Sequence, residues 1–243
     1  MALYQTEAVV IGARNWGEAD KMMMLFTLER GLVEAAAFGC RRPRSPLAAE
    51  MQLFSYLELQ LAEGRRLDTV KQSQLKRHYK KLSEDLVVMS YGALAAEVMR
   101  EFMPAGVPEP RLFSTLLEIL EAFEKRNPRV TALAAILQIM EFTGLQLHFD
   151  RCLHCGKPVA GDGALSLKEG GVLCGDCIGE GMLPFPEELR RTILALRDFD
   201  CHSASSLKLQ GAMVMQAEHI TISHLQNLLG HPLRAMEFIS QLG

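Results

Sequence analysis

Along the first eighty residues, apolar positions come in short runs separated by turn residues, and the runs read as strands. They are TEAVVIGAR, KMMMLFTL, GLVEAAAF, MQLFSYLELQL and LDTVKQSQL. In SYLELQL the alternation is explicit: Tyr56, Glu58 and Gln60 oppose Leu57, Leu59 and Leu61. Breaks fall at Asn15-Trp16-Gly17, at Glu29-Arg30-Gly31, across 39–46 and at Glu63-Gly64. Five short strands at this spacing predict a small antiparallel barrel such as an OB-fold. Met22, Met23 and Met24 read as core filling.

Beyond Leu82 the apolar period lengthens to that of helices. Ser83 is the expected N-cap of a helix running to about Phe102, with Glu84 and Asp85 in its first turn. Pro110 opens a second helix through Lys125. Asn127 and Pro128 start a third that Gly144 stops. Pro186 opens PEELRRTILALRDF, and two more helices fit 208–229 and 232–241. The expected fold class is α+β and multidomain. An OB-fold β-barrel, 1–81, precedes an all-α helical domain, 82–243, into which a four-cysteine zinc ribbon, 150–180, is inserted.

Composition leaves this picture intact and charge divides it. Hydrophobic residues make up 49% and charged residues 23% of 243, enough for a real core. The N-terminus lacks the basic and small-residue features of a signal peptide, and no apolar run reaches the roughly 18 residues of a membrane helix. A cytoplasmic protein with no membrane association is expected. The net charge of −3 is uneven. Residues 1–81 hold 13 Lys and Arg against 9 Asp and Glu, and residues 82–243 hold 13 against 20. Such a split suggests different partners for the two halves.

The strongest chemical signal is CLHCGKPVAGDGALSLKEGGVLCGDC, in which Cys152, Cys155, Cys174 and Cys177 form two Cys-x-x-Cys knuckles. Paired knuckles in a chain with few other cysteines read as zinc ligands rather than disulfides. Gly156 and Gly175 suit the tight turns such knuckles need. Four thiolates fill a tetrahedron and leave no open position for water, so the Zn2+ is read as structural. His154 is not expected among the ligands. Cys40 and Cys201 read as inert.

Other chemistry is absent from the pattern. There is no phosphate loop, no HExxH and no GxSxG. His219 and His224, five apart, do not share a helix face. Asp198, Asp200, Cys201 and His202 read as a solvated turn. No catalytic residue is assigned, and no enzyme is expected. The barrel half instead carries GCRRPRSP, with Arg41, Arg42 and Arg44 in one loop. Arg14, Lys21, Arg65, Arg66, Lys71, Lys76 and Arg77 are expected to join them on one face. Such a face can track a phosphate backbone while rings stack on bases, and Trp16, Phe54 and Tyr56 are the aromatic candidates.

Several segments together carry a family resemblance: AVVIGARNWGEADKMMMLFTLERGLVEAAAFGCRRPRS, LFSYLELQLAEGR, CLHCG with GGVLCGDC, and LGHPLRAMEFI. In this order they resemble RecO, the bacterial DNA repair and recombination-mediator family, over essentially the whole chain. The resemblance implies an N-terminal OB-fold and a helical domain carrying the zinc ribbon. It implies binding of single- and double-stranded DNA and annealing of complementary strands. It also implies action with RecR, and often RecF, to load RecA onto DNA coated by single-strand binding protein. DNA contact carries over to Arg14, Lys21, Arg41, Arg42 and Arg44, and metal binding to Cys152, Cys155, Cys174 and Cys177. Arg234-Ala235 stands where many relatives carry Lys-Ser, so the charge is kept and the hydroxyl lost. The expectation is therefore a non-enzymatic DNA-binding mediator. The alternative is a zinc-stabilised protein-interaction adaptor with incidental DNA contact.

Overall fold

The computed structural model describes residues 2–179, 182–200 and 209–242. Five strands close into a barrel: β1 (Leu3–Trp16), β2 (Asp20–Thr27), β3 (Gly31–Ala37), β4 (Tyr56–Ala62) and β5 (Asp68–Arg77). Their order around the barrel is β1-β2-β3-β5-β4, with β3 and β5 parallel and the other neighbours antiparallel. This is an OB-like barrel, as the strand spacing predicts.

Alternation explains its core. Leu57, Leu59 and Leu61 of β4 point inward to meet Ala8, Val10, Met23, Leu25 and Val70. Burying each such leucine contributes about 1.5–3 kcal/mol. A bulge between Val10 and Gly12 of β1 shifts its register against β2. Of the three consecutive methionines only Met23 is core; Met22 and Met24 take the outward parity. The fourth expected strand begins later than its apolar run. A short helix α1 (Pro46–Glu50) and a turn precede Tyr56. Phe54 in that turn is buried at φ 65°, its ring against the Cα of Gly92.

The chain forms two compact units, which differ from a division at Leu82. One comprises residues 1–128 with 234–243, the other 129–233. The first unit adds α2 (Lys80–Glu84), α3 (Leu86–Phe102), α4 (Pro110–Phe123) and α8 (Arg234–Ile239) to the barrel. The ring of Phe113 on α4 meets Phe26 and Tyr56 of the barrel at 5.9 and 6.2 Å. Arg100 of α3 donates to the carbonyl of Ile11 at 2.6 Å. The N-cap of α3 is Asp85, not Ser83: its carboxylate accepts from the N–H of Val87 and Val88. An acceptor oxygen two residues nearer the apolar run wins the cap, and Ser83 Oγ bonds Lys80 O instead.

The second unit holds α5 (Pro128–Thr143), α6 (Glu187–Arg197) and α7 (Gly211–Leu229) with a small sheet of β6 (Gly163–Ser166), β7 (Gly171–Cys174) and β8 (Leu183–Phe185). Gly144 at φ 72° ends α5, and Gly230 at φ 74° ends α7. Leu133, Leu137, Phe149, Val172, Ile193 and Ala217 belong to one apolar core, so ribbon and helices fold around shared contacts. His224 Nε2 lies 3.1 Å from the carbonyl of Leu145, a packing role. Cys201 and His202 lie outside the described residues.

Candidate nucleic-acid interface and candidate metal centre

The β1–β2 turn and the loop after β3 meet at one end of the barrel. Three hydrogen bonds tie them: Arg41 N to Ala19 O at 2.8 Å, Arg41 Nη1 to Gly17 O at 3.0 Å, and Gly39 N to Asp20 Oδ1 at 2.7 Å. These bonds bring the three-arginine loop alongside β1 and β2. Arg14 pairs across the strands with Met22, and its Nη2 lies 2.8 Å from that residue's sulfur. Lys21 sits opposite Ala37, a core residue, and so takes the inward parity at the barrel mouth. Burial pushes up the pKa of the Cys40 thiol there, and the Lys21 charge opposes the rise. Arg41, Arg42 and Arg44 are exposed. Among the described residues, none of these five cations is in an ion pair; Glu18 and Asp20 are the carboxylates of the adjoining turn.

The other cations of the barrel half lie elsewhere. Lys76 pairs with Glu7 and Glu58, Arg77 with Glu121, and Arg30 with Glu63. The β1–β4 register sets Ala62 opposite Leu3, at the far end of β1 from Trp16. Arg65 and Arg66 follow Ala62, and with Arg100, Glu34 and Asp68 they line a separate cavity of 460 Å³. A single face carrying every barrel cation is therefore not present.

The aromatic set also differs from expectation. Phe54 is buried and Tyr56 is half-buried, its hydroxyl donating to Glu7. Trp16 is 43% exposed, and Phe38, 53% exposed, stands 5.9 Å from it, ring centre to ring centre. Sequence reasoning passed over Phe38 by placing it at the end of a strand. Its parity was the available signal: Ala37 faces the core, so the next side chain faces out.

The second centre is the cysteine cluster. The first knuckle is closed by Gly156 N to Cys152 O and Cys152 N to Lys157 O, both 2.9 Å, with Gly156 at φ 72°. Gly175 has no positive φ, and a Cβ there would meet only Asp162 O at 4.0 Å, so that knuckle does not require glycine. The hairpin of β6 and β7 delivers Cys174, and a 3-10 turn (Gly175–Cys177) presents Cys177. All four Sγ atoms lie within 4.8 Å of one another. Cys155 and Cys174 are 3.7 Å apart, which fits the ~3.8 Å edge of a tetrahedron with ~2.3 Å zinc–sulfur bonds.

The electrostatics suit a cation. Burial raises the cost of charge on Cys152, yet hydrogen bonds from the backbone of Cys155, Cys174 and His154 bring its pKa down to about 6. Cys177 moves the opposite way, chiefly through its hydrogen bond with Cys174. Four thiols this close resist ionising together unless a metal neutralises them. His154 Nε2 pairs with Glu169 at 2.9 Å and stands outside the donor set. The four cysteines can hold a metal ion such as zinc.

The chain matches known proteins along nearly its whole length. Residues 1–79 match the family described as Recombination protein O N terminal, and residues 83–237 match Recombination protein O C terminal. A protein of Symbiobacterium thermophilum named DNA repair protein RecO is 33% identical over 249 residues, spanning 100% of this chain and 98% of its own. One of Alkaliphilus metalliredigens with the same name is 37% identical over 73% of each chain. Another, of Anaeromyxobacter dehalogenans, is 31% identical over 97% of this chain and 95% of its own. Matched through both of its parts, the chain belongs to the RecO family of DNA repair proteins.

Proposed function

We propose that this protein is a non-enzymatic recombination mediator that contacts DNA through the end of its barrel. The domain that makes the contact is residues 1–81, acting through Arg14, Lys21, Arg41, Arg42 and Arg44. In this reading it binds single and double strands and anneals complementary ones. With RecR, and often RecF, it helps load RecA onto single strands coated by single-strand binding protein. The names of its relatives support a role in DNA repair. No described helix is long and apolar enough to cross a membrane. Work on chromosomal DNA puts the protein in the cytoplasm.

The observation that carries the reading is the clustering at one end of the barrel of five cations free of ion pairs among the described residues, whereas Arg30, Lys76 and Arg77 elsewhere on the barrel are each paired. Annealing needs no covalent step. Two phosphate backbones repel, and fixed cations between them lower that repulsion while base pairing supplies the product's stability. The zinc held by Cys152, Cys155, Cys174 and Cys177 is structural in this reading, because four thiolates close its coordination shell.

The test is fluorescence anisotropy of a labelled oligonucleotide, single- or double-stranded, titrated with the full chain at several salt concentrations. Changing Arg41, Arg42 and Arg44 together to Glu is expected to abolish binding while circular dichroism and zinc content stay as in the parent. Unchanged affinity would remove these residues from the DNA contact.

A further inference from the structure

We propose that Trp16 and Phe38 form a stacking platform for unpaired bases, which makes the barrel end selective for single-stranded over duplex DNA. This rests on the DNA-contact reading of the same surface and names the form of DNA that the surface prefers.

Two large rings are left about half exposed on a loop pair that is otherwise polar. Flat aromatic faces in water beside unpaired cations match both parts of a single strand: bases for the rings and phosphates for the guanidinium groups. The remaining aromatic candidates are spent inside the fold, Phe54 against Gly92 and Tyr56 against Phe113.

The rings are positioned, not loose. Trp16 ends β1 opposite Asp20, and the carboxylate of Asp20 accepts from the N–H of Gly39, next to Phe38. The same turn is gripped by Arg41 through Ala19 and Gly17. Trp16 shares the outward parity of Arg14, two residues earlier on the strand. A base stacked on the indole thus has its phosphate within the field of Arg14 on one side and the arginine loop on the other.

Ring spacing sets the mode. A base inserted between two rings needs about 7 Å, two base rises of ~3.4 Å. The centroids are 5.9 Å apart with planes inclined 39°, so the pair already touches and admits nothing between. Bases stack on the outer faces, making a step for adjacent nucleotides. Duplex DNA keeps its bases stacked on one another and offers the rings nothing. The arginines serve both forms of DNA, and the rings only one.

Trp16 is the sole tryptophan, so its emission reports the contact directly. The full chain would be titrated with oligo(dT) and with a duplex of equal length, following tryptophan emission and, separately, anisotropy of labelled DNA. Quenching by oligo(dT) with little quenching by bound duplex is expected. Phe38→Ala, which keeps the reporter, and Trp16→Ala should each weaken oligo(dT) binding roughly 5- to 100-fold. Duplex affinity should change less than about twofold, and Trp16→Phe should restore most of the loss. Oligo(dT) bound by anisotropy without any change in emission overturns the platform while leaving the DNA-contact reading standing. Equal losses for both DNA forms overturn it too, since they mark the rings as loop supports. Absence of any DNA binding removes both proposals together.

Discussion

The buried carboxylate of Glu97, in the middle of α3, caps α8: Oε1 and Oε2 accept from the backbone N–H of Arg234 and Ala235 at 2.9 and 2.8 Å. A charged acceptor facing the first amides of a helix meets both their unsatisfied donors and the positive end of its dipole. The cap uses backbone groups, so it asks nothing of the side chain at 235. Glu97→Ala is expected to destabilise the first unit by about 2 kcal/mol, because two amides lose a charged partner. Urea unfolding of the variant checks this, and an unshifted midpoint would mean that water caps α8 equally well.

Glu7 offers a pH-dependent counterpart. Hydrogen bonds from Lys76 and then Tyr56 hold its carboxyl below the ordinary value of 4.5, against a smaller opposing effect of burial. The folded state thus favours the ionised form. The stabilisation is complete above 4.5 and is lost as pH falls through the depressed value. Glu7→Gln is expected to be less stable than the parent at neutral pH and to converge with it in acid. Urea midpoints across that range measure the gap, and a constant gap would refute the linkage.

The cysteine cluster shares its core with α5, α6 and α7 through Cys152, Leu133, Ile193 and Ala217. Chelation, or Cys174→Ser, is expected to release one zinc per chain and to abolish cooperative unfolding of the second unit, with Trp16 emission little altered. A fold that survived the loss of metal would argue for an open, reactive centre instead.

Salt dependence separates contact from steering. Each phosphate contact removed lowers the slope of log K against log salt by about 0.7 on single strands and about 0.9 on duplex. Arg42→Ala should lower it by that amount, whereas Arg30→Ala, in the turn at the other end of β2 and paired with Glu63, should not. Equal effects of the two substitutions would point to a diffuse field rather than a built contact.

Gly92→Ala tests how closely the turn before β4 packs on α3. A Cβ at that position would stand 2.6 Å from Leu82 Cδ2 and 3.0 Å from Phe54 Cζ. Overpacking of this kind costs about 1–3 kcal/mol. Thermal unfolding would register it, and an unchanged midpoint would show that Phe54 moves freely.

How far the sequence carries depends on whether a feature is local. The five strands, the cysteine knuckles and the glycine stops at Gly144 and Gly230 follow from neighbours a few residues away, and the structure holds them in place. The cap at Asp85 was displaced by two residues because two acceptors compete and only packing chooses between them. Phe54 looked available for bases because nothing in its own stretch announces Gly92 as its partner. The pairing of Lys76 with Glu7 spans 69 residues and that of Arg77 with Glu121 spans 44, so the count of free cations could not be read along the chain. Phe38 came within reach of Trp16 only once β2 set the register between them.

The Glu97 cap has a consequence in time. Its donors lie 137 residues further along the chain, and synthesis runs from the N-terminus at about 5–20 residues per second, so Glu97 waits roughly 7–27 s for them. All four cysteines of the cluster emerge within that interval. The metal centre's four ligands can therefore meet while the barrel's own unit still lacks its last helix.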